Sequence, residues 1–209
     1  MNFRKLWAAF RELWWVLRIH FWVKWLRLTD PALKETTFSI KPENIILKSW
    51  RPDERHVTTN VEGQPVEYLH SQWTGEVYFA FLEEQAKFTI SVEGIRPNTD
   101  QIEFLRELMR KKQSMWKYFE IEIFKHYLQF VHRHMDFYDR HGENINDKVA
   151  PRVDSPSGIR PLLHSTPRIY FDEHDVTNRQ FDICFPCTWE PVGMGITVTV
   201  RDWKITGVH

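Results

Sequence analysis

The 209 residues predict an α+β fold: an antiparallel sheet covered by two helices, with an extra tryptophan-rich amphipathic helix at the N-terminus. Three observations predict it. Short β-prone runs punctuated by Gly and Pro lie in 73–92 and again in 168–208, with two stretches of helical periodicity between them. Strands, then helices, then strands is the order of α+β folds, not of the alternating units that build a parallel sheet. Apolar residues make up 42% of the chain and aromatic residues 15%, enough for a packed core. Residues 6–28 hold five of the ten tryptophans and contain neither Gly nor Pro.

That first stretch reads as one helix ended by Thr29, Asp30 and Pro31. Arg4, Arg11 and Arg18 recur every seven residues as a polar stripe, and Trp7, Trp14 and Phe21 form an apolar stripe at the same period. A bilayer-spanning role is disfavoured, because each central charge costs roughly 2.5–3.5 kcal/mol. Trp and Arg, each an apolar body with a polar handle, suit an interface instead. The candidate membrane- or partner-binding residues are therefore Trp7, Arg11, Trp14, Trp15, Arg18, Phe21, Trp22 and Trp25. Their counterpart is left open between an anionic membrane surface, a second copy of the chain or its own sheet, and a foreign protein.

Formal charge is zero overall, but residues 1–31 carry six bases against two acids, which leaves 22 bases and 26 acids in the remainder. A body of net −4 argues against nucleic acid, whose phosphates need a basic face. Two cysteines give no disulfide framework and point to a reducing, cytoplasmic setting, with the inner face of the membrane as an address for the first helix. No secretory signal is expected, since charges interrupt every apolar run of the first stretch.

Residues 32–72 read as a connector with short strands at Thr36–Ile40 and Ile45–Trp50, and 73–209 as the α+β domain. Within that domain, Gly75–Phe81 and Lys87–Val92 form a hairpin or meander, and Phe88, Ile90 and Val92 alternate with Thr89 and Ser91. Asn98 or Thr99 caps a helix over 99–113, and a longer helix runs from Ser114 to about Arg140. Polar residues 141–160 form a loop. Strands follow at Arg168–Asp172, Gln180–Cys187, Gly195–Val200 and Trp203–Val208.

No nucleophile–base or phosphate-loop motif is present in the sequence, and no cofactor is expected. Cys184 and Cys187 lie among β-prone residues, where no helix dipole activates a thiol, so they read as packed strand-end residues. His132, Asp136 and Asp139 share a helix face and sketch a partial metal site, the basis of a third functional expectation, a metal-dependent hydrolase. In the C-terminal motif Cys187, Trp189, Glu190, Gly193 and Gly195, the glycines are expected to serve positive φ or close approach. Trp189 is expected to lay its ring over those glycines and donate its indole N–H to a carbonyl.

The segments WTGEVYFAF, PNTDQIEFLRELM, PLLHSTPRIYF and FDICFPCTWEPVGMGITVTVRDWKITGVH together resemble a set of uncharacterised bacterial α+β domains. Those domains carry a Thr-x-Gln helix start, a strand ending in Cys-x-Trp-Asp, then Glu-His-Gly-Leu-Gly-Val and a final Val-Gly. The matching positions are Thr99 and Gln101, Cys187 and Trp189, Gly193, Gly195 and Gly207. Glu190 stands where Asp is usual, and Pro191-Val192 where Glu-His is usual. The resemblance covers about residues 73–209 and implies an immunity-type protein, non-catalytic, that neutralises a bacterial toxin by binding it. The acidic excess of the body would then steer a basic partner. The alternative expectation is a peripheral membrane adaptor docked through its N-terminal helix.

Overall fold

The computed structural model describes residues 35–50, 54–59, 63–141, 151, 153–163, 166–187, 189 and 195–209, with backbone only for Thr59 and 131–141. Its strands are β1 (Thr36–Ile40), β2 (Ile45–Ser49), β3 (Glu54–Thr59), β4 (Pro65–Phe79), β5 (Glu84–Glu93), β6 (Arg168–Phe171), β7 (Gln180–Phe185), β8 (Ile196–Arg201) and β9 (Lys204–Val208). The helices are α1 (Thr99–Arg110), α2 (Trp116–His141) and the single-turn α3 (Glu173–Thr177), with two 3₁₀ turns at Pro156–Gly158 and Arg160–Leu162.

All nine strands join one sheet in the order β1-β2-β4-β5-β6-β7-β8-β9, with β3 beside the first part of β4. Every pairing is antiparallel except β5–β6, which runs parallel. A parallel neighbour needs a long crossover, and α1 and α2 lie in it.

This corrects the expected architecture of an antiparallel sheet covered by two helices with an extra tryptophan-rich helix. The molecule is mostly sheet. The strands of residues 36–72 belong to that sheet, and β4 alone runs 15 residues, about 50 Å at strand rise. The 12 residues of α1 reach only about 18 Å. Among the described residues the long helices pack against one face, and none covers the other. Residues 1–34, the predicted first helix among them, lie outside the described residues.

The covered face follows the alternation of the strands. Leu47, Trp73, Phe79, Ala86, Phe88, Ile90, Ile169, Phe171, Phe181, Ile183, Ile196 and Val198 point inward and are buried. They meet Phe104, Leu105 and Leu108 of α1 and Trp116, Phe119, Ile123 and Tyr127 of α2 in one core. The aromatic rings pack largely edge to face: Phe104 on Phe171 at 5.3 Å, Phe79 on Phe81 at 5.7 Å, Phe81 on Phe181 at 5.8 Å. Such pairs add about 0.5–1.5 kcal/mol each beyond their area.

Buried polar groups are bonded where they tie elements together. The Trp73 indole N–H donates to Ser71 Oγ and to the Ile95 carbonyl, and Ser71 Oγ donates to the Gly94 carbonyl at 2.7 Å. The Trp116 indole N–H donates to the Leu82 carbonyl, with the Arg160 guanidinium 4.2 Å above its ring. Asn98 caps α1 in a reciprocal box: its Oδ1 accepts from Gln101 N at 2.9 Å, and its own N–H donates to Gln101 Oε1 at 3.1 Å.

Candidate binding site on the open sheet face

The residues that alternate with the core line the uncovered face. In β2 these are Ile46 and Lys48, in β4 Thr74, Glu76 and Tyr78, and in β5 Lys87 and Thr89. Arg168 and Tyr170 of β6, Asp182 and Cys184 of β7, and Thr197 and Thr199 of β8 continue it. Strand register arranges them in rows. One row crosses the sheet through Lys48, Thr74, Thr89, Tyr170, Asp182 and Thr199. The next runs through Glu76, Lys87, Arg168, Cys184 and Thr197.

Across β2, β4, β5 and β6 this face is hollowed into a groove of about 750 Å³. Ile46, 58% exposed, stands at its rim with its side chain largely in solvent. Most charges around the groove are matched. Lys48 pairs with Glu35 at 3.0 Å, and Glu43 takes Arg106 at 2.9 Å, a bond that holds the Glu43 carboxyl below its usual range. Asp182 accepts from Thr199 Oγ1 at 2.7 Å, and Arg201 donates to Gln180 Oε1 at 2.9 Å.

Lys87 and Arg168 differ. They are direct neighbours across the parallel β5–β6 pair. Neither has an ion-pair partner among the described residues, although Glu76 stands opposite Lys87 on its other side. Like charges directly opposite one another destabilise a sheet by a few tenths of a kcal/mol to about 1 kcal/mol. Two adjacent cations in a groove with Tyr170, Thr74 and Thr89 form a seat for an acidic or hydrogen-bond-accepting group. Beside them, burial pushes the Cys184 thiol up, with Arg168 working the other way, so this cysteine is a packed thiol rather than an activated nucleophile.

The residues singled out from the sequence fall elsewhere. Trp7, Arg11, Trp14, Trp15, Arg18, Phe21, Trp22, Trp25, Glu190 and Gly193 lie outside the described residues. Cys187 is half-buried and bridges Leu163. Trp189 is 1% exposed and packs edge-on against Tyr127, centroids 5.0 Å apart. Among the described residues its indole nitrogen has no hydrogen-bond partner, so the expected bond to a carbonyl is not made there. Gly195 has φ +82, and a Cβ there would stand 2.2 Å from the Phe185 carbonyl oxygen. Gln101 of the Thr-x-Gln start is 1% exposed, and besides its capping role its Nε2 donates to the Ser91 carbonyl at 2.8 Å, locking α1 to β5. Gln101, Trp189 and Gly195 thus act in holding the fold, away from the groove. His132, Asp136 and Asp139 lie in the part of α2 whose side chains are not described. Among the described residues no group of three metal-binding side chains comes together, and no helix is long and apolar enough to cross a membrane.

Among the described residues the class is that of a broad sheet domain with one helix-packed face and one grooved face that no described helix covers. The chain belongs to the DUF6985 family, a domain of unknown function whose profile matches residues 64–209. No curated protein and no solved structure matches it. Strands β1 to β3, with the Ile46 and Lys48 rim of the groove, precede the matched region.

Proposed function

We propose that this protein is a non-catalytic binding protein of the immunity type, which neutralises a bacterial toxin by seating it on the open sheet face. The Lys87–Arg168 pair carries the reading. Two cations placed side by side repel each other in the isolated fold, with Glu76 opposite Lys87 but no ion pair to either among the described residues, and an acidic group of a partner relieves that repulsion while excluding water from the groove. The acidic excess of the body favours encounter with a basic partner, and the two groove cations fix where one of its acidic side chains docks. The test mixes the purified full chain with the toxin encoded by the adjacent gene. A stable one-to-one complex on size-exclusion chromatography is expected, and elution as two separate species at micromolar concentration overturns the proposal.

A second reading rests on residues 1–31, whose basic, tryptophan-rich sequence favours a peripheral membrane adaptor. Flotation with anionic liposomes tests it. Binding that weakens with salt and disappears when residues 1–31 are removed supports the adaptor, and no binding by the intact chain ends it.

A further inference from the structure

On the far side of the core from the groove, the β8–β9 turn carries an outlier. Arg201 pairs with Lys204, so the turn has two central residues, Asp202 at φ +48 and Trp203 at φ +62. Both positive values suit the hairpin turn that matches strand twist, but its second position favours glycine. A tryptophan there is strained. Its ring is held against Phe81 and Phe181, each 5.6 Å away, with Lys111 Nζ 4.6 Å from its centre.

That ring lines a pocket of about 380 Å³ together with Met115, Tyr118 and Ile205, within the size range of small-molecule sites. Tyr118, 55% exposed, stands at the mouth. The polar lining is basic in balance. Glu122 is neutralised by Lys125 at 2.7 Å, and Glu83, which hydrogen-bonds Ser114, is matched by Arg160 at 3.4 Å. Lys111 and Lys204 have no ion-pair partner among the described residues. Apolar walls with flat rings and two ammonium groups without a carboxylate partner among the described residues complement one ligand chemistry.

We propose that this pocket binds a small planar aromatic carboxylate, its ring system against Trp203, Met115 and Tyr118 and its carboxylate held by Lys111 and Lys204. The strained turn then has a purpose: it presents the indole as a wall, which glycine could not do. The site is separate from the sheet groove and stands or falls independently of toxin binding.

Calorimetric titration of the full chain with naphthoate tests it, with the neutral amide of the same ring as comparison. Saturable one-to-one binding is expected for the acid, with the amide weaker by roughly tenfold or more, the size of one lost charge-assisted bond. Lys204→Glu and Lys111→Glu should each weaken naphthoate by at least the same factor, while Lys87→Glu on the other face leaves it unchanged; Lys204→Glu keeps the parent's thermal midpoint, and Lys111→Glu lowers it through the lost contact with Trp203. No saturable binding, equal affinity for acid and amide, or binding indifferent to both pocket reversals would each overturn the proposal.

Discussion

Replacing Gly195 by alanine isolates the tightest approach found at the described glycines, and Gly63→Ala is its control. The two glycines share one φ, +82 and +81, so alanine meets a penalty from positive φ at both. That penalty is about 1–2 kcal/mol, offset in part by the smaller conformational freedom of alanine in the unfolded chain. At Gly63 nothing lies within 4 Å of the added methyl, so the cost ends there. At Gly195 the methyl would stand 2.2 Å from the Phe185 carbonyl oxygen, 2.6 Å from Pro186 Cα and 2.7 Å from the Phe185 carbonyl carbon. All three atoms are backbone, so no rotamer change relieves the overlap. The chain must separate where Phe185 faces Ile196, the last rung of the β7–β8 ladder, and both side chains there are buried. Adding the cost of overpacking, about 1–3 kcal/mol, brings Gly195→Ala to roughly 2–5 kcal/mol before the unfolded-state offset. Urea unfolding followed by tryptophan fluorescence reads the difference as a midpoint shift at constant slope. If the two variants shift the midpoint equally, the close passage of Gly195 over Phe185 and Pro186 is refuted.

Two further outcomes follow from buried polar groups. Gln101→Ala removes the side-chain half of the cap, leaving Asn98 N–H without its acceptor, and strands the Ser91 carbonyl, so urea unfolding should report a loss of about 2–3 kcal/mol; a loss below about 0.5 kcal/mol would contradict the described bonds. Glu84→Gln should raise the thermal midpoint at neutral pH. Burial pushes the Glu84 carboxyl up, with nearby Arg160 opposing, so the folded state carries a desolvated charge at neutral pH. As pH falls through the raised value the native state takes its proton before the unfolded chain does, and stability from this group rises. Below the unfolded value both states are protonated and the advantage of the glutamine vanishes. Glu43, held down by Arg106, has the opposite sign: its contribution is complete above the ordinary carboxylate range and is lost as pH falls through its lowered value.

The sheet was legible where one face is buried. In KFTISV and RIYF every second residue goes into the core, so periodicity alone places Phe88, Ile90, Ile169 and Phe171 inward. It was illegible where both faces meet water. Residues 65–68 at the start of β4 are exposed on either side, so Pro65, Val66 and Tyr68 leave no alternation to find, and the strand content was underestimated. The β5–β6 pairing joins Lys87 to Arg168 across two helices and a loop, and no local pattern announces it. For the same reason the groove was missed. Each of its cations is an unremarkable outward strand residue until register sets them side by side. The glycine motif spoke clearly because a backbone requirement is written in one residue: Gly195 is a glycine at positive φ under close approach. The start of α1 was legible as well, though the sequence left its cap open between Asn98 and Thr99, and Asn98 takes it.

The central claim is that Lys87 and Arg168 face each other for a partner rather than for the fold. Charge reversal separates the two roles. Arg168→Glu replaces a repulsive neighbour pair by an attractive one, so it should be as stable as the parent or more stable, by up to about 1 kcal/mol, whereas Lys87→Glu gains attraction to Arg168 but meets repulsion from Glu76 opposite it and should stay near the parent. Each should also bind the adjacent-gene toxin at least roughly tenfold more weakly, since removing one charge-assisted bond costs about 1.5–3 kcal/mol. Calorimetric affinity and thermal midpoint measured on the same preparations decide it. Unchanged stability with weakened binding is the predicted result; affinity equal to the parent's in both reversed variants would contradict the assignment of the open face as the binding site.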